Sequence, residues 1–130
     1  MSTKSKAKGT KAETEVVRYL RQWWPAAERR ALSGNKDKGD VAGIPGVVVE
    51  VKAAATQQLT AWKRETEQER INAAALTGVL VVKRPRKPVK EWDAYLPVEQ
   101  IEDKLDVDGG VEWVRMDLAL AAALLLTLGH

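Results

Sequence analysis

Asp40, Glu50 and Lys52 fall in one stretch, GDVAGIPGVVVEVK, where an acid and a base two residues apart interrupt a valine-rich run. Side chains alternate along a strand, so Val47, Val49 and Val51 share one face while Val48, Glu50 and Lys52 share the other. A tight turn at Ile44, Pro45 and Gly46 would fold the strand after Asp40 back along the strand holding Glu50. That pairing brings the two carboxylates close, and they repel unless a cation or a proton lies between them. Hard divalent ions such as Mg²⁺, for which Mn²⁺ can substitute, take one or two carboxylates together with water and phosphate oxygens. The backbone carbonyl of Val51 can add a further oxygen ligand, and Lys52 reaches the same pocket. This set suits hydrolysis of a phosphodiester: the metal holds the phosphate and activates water, and an ammonium steadies the charge that develops.

Glu50 and Lys52 alone would equally suit an ion pair on an exposed sheet face. Asp40 ahead of them, the turn between and Glu13 argue for a site. A helix is expected over residues 11–24, stopped by Pro25, and its inward row reads Glu13, Val17, Leu20, Trp24. Glu13 therefore ends the inward face, whereas Glu15 points away.

The remaining elements follow from the same patterns. A short strand and a polar loop lead to strands at 41–42 and 46–52. A helix over 57–76 is expected to bury Leu59, Trp62, Ala73 and Leu76, with a dense charged face between them and Gly78 ending it. A buried strand at 79–82, a basic proline-containing loop and a strand at 92–96 come next. Pro97 can start a helix that carries Val98, Ile101 and Leu105 inward. After the turn DVDGG, a strand at 111–115 and an apolar helix close the chain. This order is a mixed α/β pattern around a central sheet.

With 130 residues, 45% hydrophobic and no cysteine, the chain supports one domain and excludes disulfide frameworks and thiolate metal sites. Residues 1–10 read as a basic disordered tail and 11–130 as a single domain. Net charge is only +3, but the positive residues cluster, at Lys4, Lys6, Lys8 and Lys11 and again at Lys83, Arg84, Arg86, Lys87 and Lys90. Two such clusters suit a polyanion, nucleic acid first, although solvated surface has the same composition. The start lacks the apolar core of a signal peptide. The most apolar segment, LALAAALLLTLG, is shorter than the roughly 20 residues that cross a bilayer. A soluble protein without membrane contact is expected. That segment is apolar on nearly every side, as a deeply packed helix or a dimer interface would be. The five tryptophans suit core packing better than base stacking. His130, the one histidine, stands last and is not expected to serve acid/base chemistry.

Asp40, Glu50 and Lys52 match the PD-(D/E)XK nuclease motif, with Gly39 where the motif name has proline. The fuller pattern, KGTKAETEVVRYL followed by RALSGNKDKGDVAGIPGVVVEVK, resembles the archaeal-type Holliday-junction resolvases and their viral relatives. The likeness is good over the first half of the chain and looser through the second helix and the VLVVKR strand. It implies a restriction-endonuclease-like mixed central β-sheet flanked by helices, with 11–130 as the nuclease domain. It also implies a homodimer, Mg²⁺ dependence, and structure-selective cutting of four-way DNA junctions in the cytoplasm of a prokaryotic or virus-infected cell.

By the same resemblance Asp40 and Glu50 are metal ligands, Lys52 is catalytic base or charge stabiliser, and Glu13 acts on the metal through water or directly. Ser33 corresponds to a loop serine that helps position the phosphate. Thr14 stands where relatives often carry arginine, and Lys8 and Lys11 can compensate. Lys36 and Lys38 are candidates for phosphate contacts, as are Lys83, Arg84, Arg86 and Lys87. Asp37, in the same loop, reads as a solvated acid, with Asp40 preferred as ligand. Gln57 and Gln58 fall where related nucleases sometimes place a polar active-site residue, though surface glutamine is the default. Two rival readings remain: a nuclease of the same fold for flaps, nicks or single strands, and a non-catalytic DNA-binding module.

Overall fold

Valines at 47, 48, 49 and 51 drive the centre of the structure, because a β-branched run buried on both faces belongs in the middle of a sheet. The computed structural model describes residues 3–30, 37–101 and 113–130. Its elements run α1 (Thr3–Leu20), β1 (Glu28–Arg29), β2 (Val41–Ala42), β3 (Val47–Lys52), α2 (Leu59–Asn72) and β4 (Thr77–Val82). A 3-10 turn (Val89–Glu91), β5 (Asp93–Pro97), α3 (Val98–Ile101), β6 (Trp113–Asp117) and α4 (Leu118–Thr127) complete the chain.

The six strands form one mixed sheet in the order β1-β2-β3-β4-β5-β6. Only β3 and β4 are parallel, in the register Val47↔Thr77 to Lys52↔Val82, and α2 is the crossover between them. The other neighbours are antiparallel. The fold is thus α/β, with helices covering both faces. On one face Ala12, Val16, Val17 and Leu20 of α1 and Leu118, Ala121, Ala122 and Leu125 of α4 pack on Val47, Val49, Val51, Val79 and Val81. On the other, Trp62 of α2 packs with Leu80, Val82 and Tyr95. The alternation expected for β3 holds: its odd-numbered valines face α1, while Glu50 and Lys52 face α2.

A type II turn joins β2 to β3. Val47 donates to the Ile44 carbonyl at 3.2 Å, Pro45 occupies the second position, and Gly46 takes φ +73° in the third. This is the tight reversal that the Ile44-Pro45-Gly46 sequence anticipates.

Several boundaries differ from expectation. α1 begins at Thr3 and ends at Leu20, so helical backbone extends into residues 3–10, expected as a disordered tail, and stops four residues before Trp24. Lysine and alanine are good helix formers, and a single Gly9 is tolerated among them. α2 ends at Asn72, short of residue 76, because Ala74 takes φ +52° and the Ala75 N–H closes the helix end on the Arg70 carbonyl at 3.0 Å. Leu76 and Thr77 both donate to the Gly46 carbonyl, at 2.9 and 3.0 Å, which starts the β3–β4 ladder. Leu76 is consequently 72% exposed, not inward as expected. Gly78 lies inside β4, where an added Cβ would meet Arg70 Cβ and Thr66 Cγ2 at 3.4 Å. It therefore permits close approach of α2 rather than ending that helix. Leu105 lies outside the described residues.

Among the tryptophans, Trp24, Trp62 and Trp92 are buried as expected, and Trp23 is exposed. In α4 the buried residues Leu118, Ala121, Ala122 and Leu125 follow helical spacing, while Leu120 and Leu126 are exposed, so one face is core. Among the described residues no helix is long and apolar enough to cross a membrane.

Candidate active site

β2 has only two residues, so on that side it leaves the end of β3 without a neighbouring strand. Asp40 fills the gap. Its backbone N–H donates to Val49 O at 2.9 Å, and its Oδ2 accepts from the Val51 N–H at 2.8 Å. With Val41 paired to Val49, Asp40 stands across from Glu50. Glu50 is 4% exposed, and its Oε2 has no hydrogen-bond partner among the described residues. Lys52, on the same face of β3, places Nζ 3.6 Å from Glu50 Oε1 and 3.1 Å from both carboxylate oxygens of Glu65.

Glu13 approaches from α1 on the opposite side of the sheet. Its Oε2 accepts from Arg29 Nε of β1 at 3.1 Å, and its carboxyl lies near enough to Asp40 to feel it. The four residues Glu13, Asp40, Glu50 and Lys52 thus converge on one cleft of about 850 Å³, which Lys8, Arg29, Asp37, Val51, Gln58, Trp62 and Glu65 also line.

The carboxyls perturb one another. Burial, then the Glu50 carboxyl, pushes Asp40 up to about 8, and burial, then Glu69, pushes Glu50 up to about 9. Burial and then Asp40 raise Glu13 as well, against the lowering effect of Arg29. For Lys52, burial works against the charged form, but Glu50, Glu65 and Asp40 outweigh it and raise the ammonium. Buried anionic oxygens without partners are expensive in this surrounding, and a divalent cation with all-oxygen preference is the chemistry that would satisfy them. The donor set at Asp40 and Glu50 therefore fits a hard metal ion.

The other sequence candidates are distributed unevenly. Lys8 lines the cleft and Lys11 is exposed outside its lining. Lys38 is exposed on the loop before Asp40. Ser33 and Lys36 lie outside the described residues. Gln58 lines the cleft at the N-terminal end of α2, and Gln57 does not. Lys83 follows β4 directly, its N–H donating to the Lys52 carbonyl at 2.9 Å, so the basic loop leaves the sheet at the end where Lys52 sits. The Lys83 ammonium lies over the Trp92 ring at 5.6 Å, and Arg84 Nη1 donates to the Glu91 carbonyl at 3.4 Å. Arg86 and Lys87 are exposed. His130 places Nδ1 within hydrogen-bond distance of the Pro45 carbonyl oxygen, at 2.8 Å, and does not line the cleft.

Sequence reasoning missed Glu65 and Glu69, and Asp37 is exposed, as a solvated acid would be. In α2 the buried residues are Trp62, Thr66 and Glu69, so Glu69 lies on the stripe that packs against the sheet. The signal was present: Glu69 follows Trp62 by seven residues, two turns along the same face. Asp37 accepts from the Gly39 N–H at 2.9 Å, and its carbonyl accepts from Asn72 Nδ2 at 2.8 Å, so the loop is fastened to α2.

Gly39 itself takes φ +92°, a backbone conformation closed to proline, whose ring holds φ near −65°. The departure from the motif's proline thus follows from the local backbone.

Comparison of this chain with models of known protein families, with curated proteins and with solved structures finds no match.

Proposed function

We propose that this chain is a divalent-metal-dependent DNA endonuclease of the PD-(D/E)XK type, built on a restriction-endonuclease-like sheet and acting on branched DNA as a homodimer. The observation that carries this reading is the convergence of Asp40, Glu50 and Lys52, with Glu13 beside them, on one open cleft. Asp40, Glu50, the Val51 carbonyl and Glu13 would hold Mg²⁺ or Mn²⁺. When bound, the ion supplies charge neutralisation at the phosphate and activation of water.

The chain's own groups do the rest. Asp40 is fixed by the Val51 N–H, so its carboxyl cannot swing away from Glu50. Lys52, held protonated by three neighbouring carboxylates, serves as the charge stabiliser rather than the base. Lys8 at the rim and the loop carrying Arg86 and Lys87 supply positive charge for a phosphate backbone. Contacts of that kind select by shape, which favours a four-way junction over a particular base sequence.

Incubation with labelled four-way junction, flap and linear duplex, with and without Mg²⁺, tests this reading. Mg²⁺-dependent cutting of the junction that disappears in Asp40→Asn and Glu50→Gln is expected. Binding without metal-dependent cutting of any of the three would instead favour a non-catalytic DNA-binding module.

A further inference from the structure

Glu69 is 1% exposed, and neither of its carboxylate oxygens has a hydrogen-bond partner among the described residues. The proposed reaction at Asp40 and Lys52 makes no use of it. An acid this deeply buried is normally paired, because an uncompensated carboxylate in the interior loses its hydration with nothing to replace it. Glu69 also does not stand alone. One ligand oxygen each from Asp37, Glu50, Glu65 and Glu69 falls within 4.8 Å of all the others.

We infer that Asp37, Glu50, Glu65 and Glu69 form a second divalent-cation position, on the α2 side of Glu50. Three separate elements supply the donors: the loop before β2, β3, and two successive turns of α2. Their spacing suits a central ion, since oxygens on opposite sides of Ca²⁺ lie about 4.6–5.2 Å apart and those around Mg²⁺ about 4.2 Å or less. One observation beyond the spacing of the cluster points to a ligand. The Glu69 oxygens and Glu50 Oε2 are buried, aimed into the group and unpartnered. The loop that brings Asp37 there is fastened to the same helix through Asn72.

The donor set also indicates which ion. Mg²⁺ keeps several waters and uses one or two carboxylates, whereas larger ions accept carboxylate-rich, less regular shells. Four protein carboxylates therefore favour Ca²⁺ or Mn²⁺ over Mg²⁺ at this position. Occupancy has a consequence for Lys52. Glu65 now accepts from the Lys52 ammonium at 3.1 Å, and an ion that takes Glu65 releases that ammonium toward the cleft. The position shares Glu50 with the proposed reaction site but does not require that the protein cut DNA.

Metal binding without DNA tests it. The full chain is stripped of metal and titrated with Mn²⁺, Ca²⁺ and Mg²⁺, and bound ions are counted by native mass spectrometry and equilibrium dialysis. Wild type should take up Mn²⁺ or Ca²⁺ more tightly than Mg²⁺. Glu69→Gln and Asp37→Asn should each weaken that uptake by about tenfold or more, while Asp40→Asn, which removes a ligand of the proposed reaction site, should still take up one ion at this position. Asp37 is exposed, so its variant stands even where the buried Glu69 substitution fails to fold. The inference is overturned when wild type binds no ion or when Asp37→Asn and Glu69→Gln bind as wild type does. It is equally overturned when Asp40→Asn alone abolishes uptake, an outcome that leaves the proposed reaction site standing.

Discussion

Asp40 and Val51 are joined by a 2.8 Å hydrogen bond from the Val51 N–H to the Asp40 carboxylate, and this bond substitutes for a missing strand partner at the end of β3. The side chain therefore has a structural role beside the chemical one proposed for it, and substitutions can separate the two. Asparagine keeps an acceptor oxygen for Val51 and removes the ionisable group facing Glu50. Asp40→Asn should fold at least as stably as wild type in the absence of metal while losing Mg²⁺-dependent cleavage. Asp40→Ala leaves the Val51 amide without its partner and should cost about 1–3 kcal/mol. Urea unfolding of the two variants checks this, and equal destabilisation of both would contradict it.

The same carboxyls make metal-free stability depend on pH. Asp40, Glu50 and Glu69 are raised to about 8, 9 and 7, from values near 4 in the unfolded chain. Between those limits the folded state holds protons that the unfolded state has released, so unfolding becomes more favourable as pH rises. Thermal midpoints in chelator should fall steadily from about pH 5 to about pH 9. Divalent cation should raise the midpoint, and by more at the alkaline end. A midpoint in chelator that climbs across that range would show that these groups are ionised without penalty.

How much of this site could be read from the chain depends on the range of the contacts. Asp40, Glu50 and Lys52 were legible because a strand's period of two and one proline-glycine turn bring them together within thirteen residues. Glu13 was legible because its helical row ends in valine, leucine and tryptophan. Glu65 and Glu69 were not singled out, since their role depends on α2 crossing the sheet beside β3, which is set by packing of Trp62 and Gly78 far along the chain. The helical backbone before residue 11 was not legible for the opposite reason: a lysine-rich run suits a solvated tail by composition and a helix by propensity.

Gly39 offers a test of the backbone that aims Asp40. A Cβ there would lie 2.7 Å from Val48 Cγ1 and 3.2 Å from the Val49 carbonyl, at a φ that side chains rarely adopt. Gly39→Ala should destabilise by about 1–3 kcal/mol and Gly39→Pro by more, because proline cannot reach φ +92°. Denaturant midpoints measure both. A Gly39→Pro protein as stable as wild type would mean that the turn before β2 adopts another path.

Lys52 and Glu65 should respond differently to charge removal. Lys52→Met strips the ammonium from the cleft and leaves Glu50 without its neighbouring cation, so cleavage of a susceptible junction should fall by about 10²–10³-fold. Glu65→Gln keeps that ammonium and removes one of the carboxylates holding it, so the reaction should survive. Single-turnover rates at saturating protein distinguish the two. Comparable loss in both variants would assign Lys52 and Glu65 to a common structural pair.

The basic loop after β4 divides into committed and free charges, and under the proposed function the division predicts which residues would meet phosphate. Lys83 is over Trp92 and Arg84 reaches the Glu91 carbonyl, whereas Arg86 and Lys87 project into solvent. Removing a phosphate-contacting charge should weaken binding to all DNA shapes alike and lower the slope of log affinity against log salt by about one unit. Lys87→Ala and Arg86→Gly should each do so. Glycine is the right replacement at 86, because Arg86 takes φ +66°, which alanine would hold only under strain. Lys83→Ala should chiefly lower stability, by about 0.5–1 kcal/mol from the lost contact with the Trp92 ring. An unchanged salt slope in Lys87→Ala and Arg86→Gly would remove this loop from the DNA-facing surface and leave the cleft rim at Lys8 as the remaining source of phosphate contacts.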